Sequence, residues 1–452
     1  MNRALPTHRL GRWARPFFAC GTIALVARVA VACATSDTAP AEPPAEDRDG
    51  SSTVTPPPLE DVTSPADGGV EADASESLCT EEAWCYTKLP SKDDYDASAM
   101  PPIIIGPDFA LRGVWVAPDS RAWAVSTAGH VLLWDGATWR VAAIMTTPLW
   151  TVWGTSADEV WVGGERGEIY RGKVTGTDVA FEKISIATTQ TIARITATSD
   201  GDVWAIADGQ SGTNNLNRVW RFVPSGGGQG GSFVQMTVPS SFTHSSARLR
   251  VHALWFDATS LWIGGYETTS CGPIDCKFQN QLVAAKWSGP TDSGPAWQHI
   301  PLLQGYSEPI SDAISSSNGV QLLAVRGSGN QARVVRIADD ASKLDAGAVD
   351  PETDEVGITD AGDHAWTREL AHTFGSPNAI WARSADDVWL VGQSGTVRHF
   401  DGTEWRLVPL ALTRTTPLLQ DLHDIHAGPV VAGEREIWVV GNDIALHRKV
   451  KE

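Results

Sequence analysis

Residues 378–409 read NAIWARSADDVWLVGQSGTVRHFDGTEWRLVP. Apolar and polar residues alternate here in four short runs, 379–383, 387–392, 396–400 and 404–409. Ala-Asp-Asp, Ser-Gly and Asp-Gly separate the runs. Such alternation predicts strands, and Asp-Gly between two apolar runs is a strong hairpin signal. The segment therefore predicts a four-stranded antiparallel unit with a Trp on each of its first two strands.

The unit recurs along the chain. Copies begin at Leu111, Leu149, Ile192, Val251, Ile310, Asn378 and Leu422. The Trp of the second strand stands at 123, 161, 204, 262, 389 and 438, with Leu323 expected in that slot in the degenerate fifth copy. Helical periodicity is essentially absent. Four-stranded units at a period of about forty residues or more predict an all-β chain folded as a single β-propeller of about seven blades over 79–452. The last copy ends without a fourth strand. Residues 82–90, EAWCYTKLP, echo 404–409 but precede the first copy. An N-terminal strand closing the last blade is the expectation, because closure removes two exposed edges at once.

Outside the repeats the chain reads differently. Residues 1–32 have a basic start and a short apolar stretch interrupted by Arg28, which predicts a signal peptide. Ala30-Val31-Ala32-Cys33 predicts lipidation of Cys33, with ordinary cleavage after Ala32 as the alternative. Residues 33–78 form an acidic linker rich in Pro and Ala, with eleven acids and one base over 34–78. Such composition cannot bury enough apolar surface to offset its ordering entropy.

The formal net charge is −19, and the first 32 residues hold five arginines and no acid, so the remainder carries −24. A surface this acidic repels phosphate backbones, so nucleic acid is not an expected partner. Membrane contact is expected only through the N-terminal anchor. Export implies an oxidising compartment, where Cys79 with Cys85 and Cys271 with Cys276 read as two local disulfides. Zinc is the weaker alternative, because the pairs sit in unrelated parts of the chain.

The pattern VWG-S-A-D-[DE]-VW-VG, then DG-x-x-W, matches best at 153–164 and 381–405. It resembles tandem repeats of propeller lipoproteins from myxobacteria and related bacteria. The resemblance covers roughly 79–452 and implies a propeller at the outer membrane, in the periplasm or on the cell surface. It implies no activity.

The residues themselves point to no chemistry. The recurring Trp residues read as packing between blades, with Trp134 and Trp150 standing outside the repeated slot. Asp158-Glu159 and Asp386-Asp387 read as turn formers. The acidic stretch 345–363 reads as a solvated insertion, since it contains no calcium-loop pattern. His423 and His426 are expected near the central channel. No catalytic residue, metal ligand or cofactor is assigned. Loops at 208–217, 239–246 and 268–279 are expected on one face, which is the candidate binding face. The expected function is non-catalytic binding of a protein or polysaccharide in the envelope or outside the cell. The alternative is a carbohydrate-active enzyme of the glycosidase or lyase type.

Overall fold

The computed structural model describes residues 79–80, 83–90 and 110–452, except 177, 199, 209–217, 226–229, 240–246, 270–279, 292–293, 305–308, 328–330, 345–354, 359–363, 373–374 and 414–415. The expectations for 1–78, including the signal peptide, Cys33 and the linker, lie outside the described residues. So do Cys271, Cys276 and the middle parts of the three candidate loops.

Successive antiparallel meanders build the described chain. In the unit quoted above, Pro377–Ser384 pairs with Asp387–Gly392, then Val397–Phe400, then Trp405–Leu407. The other first strands are Leu111–Val116, Leu149–Ser156, Thr191–Ala197, Ala247–Phe256, Ile310–Ser315 and Leu422–Val431. Each first strand packs beside the first strand of the next meander, and Leu422–Val431 returns to Leu111–Val116. A closed circuit of meanders with first strands innermost is a β-propeller. Apolar clusters fill the spaces between neighbouring meanders, as where Trp115, Val125 and Val131 meet Val152, Val160 and Val162.

Closure follows the sequence expectation. Cys85–Tyr86 pairs antiparallel with the final strand Ile444–Lys451, Cys85 opposite His447 and Tyr86 opposite Leu446. Thr87 extends the seam: its N–H and Oγ1 both donate to Ala445 O, at 3.1 and 3.0 Å. Trp139 Nε1 of the first meander donates to Thr87 Oγ1 at 2.8 Å. Trp84 is fully buried and meets Trp389 edge-on, ring centroids 5.7 Å apart. The Cys79–Cys85 disulfide is formed.

Two joins depart from separate four-stranded units. Gly231–Gln235 runs parallel to Asp178–Ile186, pairing Ser232 with Ser185 and Phe233 with Ile186. The second and third meanders thereby share one eight-stranded sheet. In the fifth meander, Glu355–Ile358 adds an edge strand beside Ala365–His372. The acidic insertion is thus not wholly a solvated loop, because part of it finds backbone partners on a free edge.

Pairing corrects one slot. Each second-strand Trp lies opposite a defined first-strand residue, as Trp123 opposite Trp115, Trp389 opposite Trp381 and Trp438 opposite His426. In the fifth meander the equivalent pair is Ile314 with Leu322, while Leu323 faces Ala313. The Trp slot therefore belongs to Leu322, not Leu323. Gly154 of the VWG run has a packing reason: a Cβ there would lie 2.2 Å from the Trp115 ring of the preceding meander.

A side-chain clamp explains the Trp slot and the second acid of the turn. Trp389 Nε1 donates to Asp387 Oδ1 at 3.0 Å. His399, on the third strand, stacks on the Trp389 ring at 4.0 Å and its Nε2 lies 2.8 Å from the same oxygen. The pattern repeats with other third-strand residues over the ring. Glu159 accepts from Trp161 and Arg171, and Arg171 lies over the Trp161 ring. Asp257 accepts from Trp262 while Lys286 lies over that ring. His447 stacks on Trp438 and binds Glu436.

Glu159 and Asp387 are therefore clamp acids rather than turn formers. The first acids, Asp158 and Asp386, are the turn residues, their amides donating to Ser156 Oγ and Ser384 Oγ. Asp387→Ala leaves Trp389, His399 and Arg383 without their shared acceptor. It is expected to cost about 1–3 kcal/mol, whereas Asp386→Ala is expected to stay within about 0.5 kcal/mol. Urea denaturation of the two variants side by side checks the contrast, and equal losses would refute the clamp.

Candidate functional site

The first strands line a cavity of about 140 Å³ on the propeller axis. Each has a one-residue register shift, as between Leu111 and Gly113 or Val251 and Ala253. The shift fixes equivalent positions. The residue just after it is Gly113, Thr151, Arg194, Ala253, Asp312, Ala379 or Asp424. Small or polar side chains are needed there, because the position abuts the backbone of the neighbouring first strand. Where the side chain can accept, it takes the amide of that neighbour. Thr151 Oγ1 accepts from Ile195 N at 3.1 Å. Asp312 Oδ2 accepts from Ile380 N at 3.1 Å. Asp424 Oδ2 accepts from Val114 N at 2.8 Å. Two residues on, His426 Nδ1 accepts from Val116 N at 3.1 Å.

Three of these positions hold ionisable side chains. Arg194 Nη2 lies 3.2 Å from Asp312 Oδ1 and also donates to Ser311 O at 3.0 Å. Burial raises the Asp312 carboxyl above the ordinary carboxylate range, with Arg194 opposing. Asp424 is pushed up to about 7, chiefly by burial; Arg194 opposes the rise and Asp312 adds to it. Its Oδ1 also accepts from Ile425 N at 3.0 Å. Arg194 stays charged, since the two acids outweigh the cost of burying it. His426 is pulled down to about 4 by burial, and Arg435 acts in the same direction. It is therefore neutral at pH 7, as an accepting Nδ1 requires. Trp153 meets its ring edge-on at 5.2 Å.

The residues at the shifts form a second ring, at the channel mouth where the first strands begin. They are Arg112, Trp150, Ala193, His252, Ser311, Asn378 and His423. Neighbours touch around part of the ring. Arg112 lies over the Trp150 ring at 4.9 Å, and its Nη1 is 3.3 Å from His423 Nδ1. His423 Nε2 is 2.9 Å from Asn442 Oδ1. Asn378 Nδ2 donates to Leu422 O at 2.7 Å. Arg326, at the end of the second strand Gln321–Arg326, donates to Asn378 Oδ1 at 3.1 Å and Ser311 Oγ at 3.3 Å.

Both histidines expected near the channel are there, in different roles: His426 inside it and His423 at the mouth. Trp150 is a mouth residue, whereas Trp134 is core, packed on Trp139 and Trp438. Reading single copies missed Arg194, Asp312 and Asp424. Aligned copies carry the signal, since charge appears at one position where other copies have Gly113, Ala253 or Ala379. Among the described residues no group of three or more His, Cys, Asp or Glu is placed to hold a metal ion.

Fold and channel together define a β-propeller with a narrow, polar axis. No protein-family model matches the chain, and no curated protein matches it. Solved propellers do. YCF48 bound to D1 peptide superposes with a TM-score of 0.48 at 12% identity, over 82% of this chain and 97% of that one. YCF48 from Cyanidioschyzon merolae gives 0.48 at 16%, over 81% and 98%. The WD40 β-propeller domain of Doa1 gives 0.47 at 15%, over 77% and 95%.

Proposed function

We propose that this chain is an exported, lipid-anchored, seven-bladed propeller that serves as a non-catalytic binding module for a protein or polysaccharide. The observation that carries the reading is the use of the channel acids. Asp312 and Asp424 each accept the amide of an adjacent first strand, so they hold the ring together. Groups committed in this way make a rigid scaffold, and recognition on such scaffolds falls to loops and rims. Export and anchoring are supported by the N-terminal sequence, and placement outside the cytoplasm suits the Cys79–Cys85 disulfide.

One observation favours the enzyme reading. Asp424, with a pKa near 7 in a channel shared with Asp312, has the protonation behaviour of a general acid. Both its oxygens are taken by backbone amides, which favours the scaffold role. The test is a pull-down with the full chain against solubilised envelope and secreted polysaccharide of its own cell. Specific capture of one component without turnover is the expected result. Release of cleaved sugar from the captured material would replace this reading with the enzymatic one.

A further inference from the structure

The last meander leaves part of its outer edge unpaired. In other meanders the fourth strand follows the third, as over all of Ile169–Thr175 and Ala332–Ala338. The final strand Ile444–Lys451 has 8 residues, and only Leu446 and His447 pair with the closing strand. There the closing segment leaves the edge. Ala83 takes a φ of 59°, its N–H donates to Thr80 O at 3.0 Å, and Trp84 turns into the core. In an antiparallel strand the N–H and C=O of every second residue point to the same side. Ala445 O accepts from Thr87 on the outer side, so the backbone of His447, Lys449 and Lys451 also faces outward. Glu452 N donates to Gly433 O on the inner side, as this alternation requires. Among the described residues no backbone hydrogen bond reaches Lys449 or Lys451 from the outer side.

A groove of about 630 Å³ opens beside this edge. It is lined by Cys85 and Lys88 of the closing segment, Trp134 and Thr138 of the first meander, and His447 and Lys449. Its volume lies in the range of ligand pockets, about 300–1,000 Å³. Lys449 and Lys451 are both exposed. Among the described residues no carboxylate lines the groove, in a chain of net charge −19. The acids nearest to it are engaged or opposed. Glu436 is bonded to His447, Asp135 accepts from the amides of Ala137 and Thr138, and Glu434 lies opposite Lys451.

Resting on the binding-module reading, we propose that an extended acidic segment of a partner protein adds here as the missing length of the fourth strand. An open edge takes an extended chain, because its N–H and C=O groups want partners at strand spacing. A polysaccharide has no such ladder, which narrows the partner to a protein. Residues two apart on a strand share a face, so two acids separated by one residue meet both lysines at once. The residue between them points the other way, as Val450 does toward the apolar cluster of the last two meanders, and an apolar side chain suits it. Lysines on an edge also repel a second copy of the same edge, which favours an acidic partner over self-association.

Fluorescence anisotropy of labelled peptides with the detergent-solubilised full chain tests the proposal. The acidic probe is Thr-Glu-Val-Glu-Val-Thr. One control has Lys in place of both Glu, and the other is the acidic probe N-methylated at both Glu. The acidic probe is expected to bind at least about tenfold more tightly than either control. The first control replaces two opposite-charge contacts by like-charge ones, and the second loses two strand hydrogen bonds. Lys449→Glu with Lys451→Glu is expected to turn the preference toward the basic peptide. Both changes sit on exposed side chains and keep the melting temperature. No binding of the acidic probe, equal binding of either control, or an unchanged preference in the double variant would overturn the proposal. A concentration-dependent dimer that the double variant abolishes would assign the edge to a second copy and overturn it as well. Capture of a component in the pull-down with no binding of the acidic probe would sink this proposal and leave the binding-module reading standing.

Discussion

Trp84→Ala is expected to lower the stability of the folded chain by about 3–5 kcal/mol, the cost of removing a large side chain from a packed interior. Trp84 lies outside the meanders in sequence, in the short segment that closes the ring. It is nonetheless fully buried, in the cluster that joins Trp389, Val391 and Val397 to Ile437, Val439 and Leu446. Losing the indole opens a cavity between the sixth and last meanders and unseats the strand paired with Ile444–Lys451. A larger form of the experiment compares chains starting at Cys79 and at Pro101. The longer one is expected to melt at a clearly higher temperature, since the shorter one exposes the edge of the final strand. Equal melting temperatures would show that the ring does not depend on its N-terminal strand.

The second large effect concerns pH. Asp424 has a folded-state pKa of about 7 against an ordinary value of 3.8. A carboxyl raised in this way takes up a proton on folding throughout that window, so stability falls as pH rises from about 4 to 7. About three pKa units correspond to roughly 4 kcal/mol. Asp424→Asn, which keeps an oxygen acceptor for Val114 N but loses the one for Ile425 N, is expected to lie somewhat below the parent chain near pH 4.5. It should gain on the parent as pH rises, by about 2–4 kcal/mol at pH 8. His426 has the opposite sign. Its folded pKa near 4 lies below the ordinary 6.5, so its contribution is present above 6.5 and is lost as pH falls toward 4. In the parent chain the two slopes oppose each other; the Asn variant removes the Asp424 slope and leaves that of His426 together with the opposing one of the raised Asp312. Denaturant midpoints at pH 4.5, 6 and 8 check this. A difference between variant and parent that does not change with pH would show that Asp424 is ionised throughout.

Much of the architecture is legible in the sequence because it depends on alternation and turns, which are local. The runs at 379–383 and 387–392 fall on observed strands, and the closing role of 82–90 follows from a missing last strand. The fifth copy shows where local reading ends. Leu322 and Leu323 are the same residue type side by side, so only the pairing of Ile314 with Leu322 decides which fills the Trp slot. The clamp acids are another case. Asp386 and Asp387 look alike in the turn, yet only Asp387 points back to the Trp389 indole. The join between Gly231–Gln235 and Asp178–Ile186 could not be read, because strands from different meanders meet there without a shared turn. The charged channel residues were hidden differently. Arg194, Asp312 and Asp424 belong to three separate copies, and each alone looks like the polar face of an ordinary strand. Their meaning comes from the ring, which brings Arg194 to Asp312 across more than a hundred residues.

The closing seam also sets how the molecule responds to a pull. Tension arriving along the residues before Cys79 does not run through the backbone between Cys79 and Cys85. It crosses the disulfide and enters at Cys85, the first residue paired with the final strand. The short loop that carries Trp84 is thereby shielded from load while the bridge is intact. Reduction would reroute the same force through that loop and draw directly on the buried indole. The bridge thus acts as a mechanical bypass, and force spectroscopy with and without reductant should give two different rupture forces for the seam.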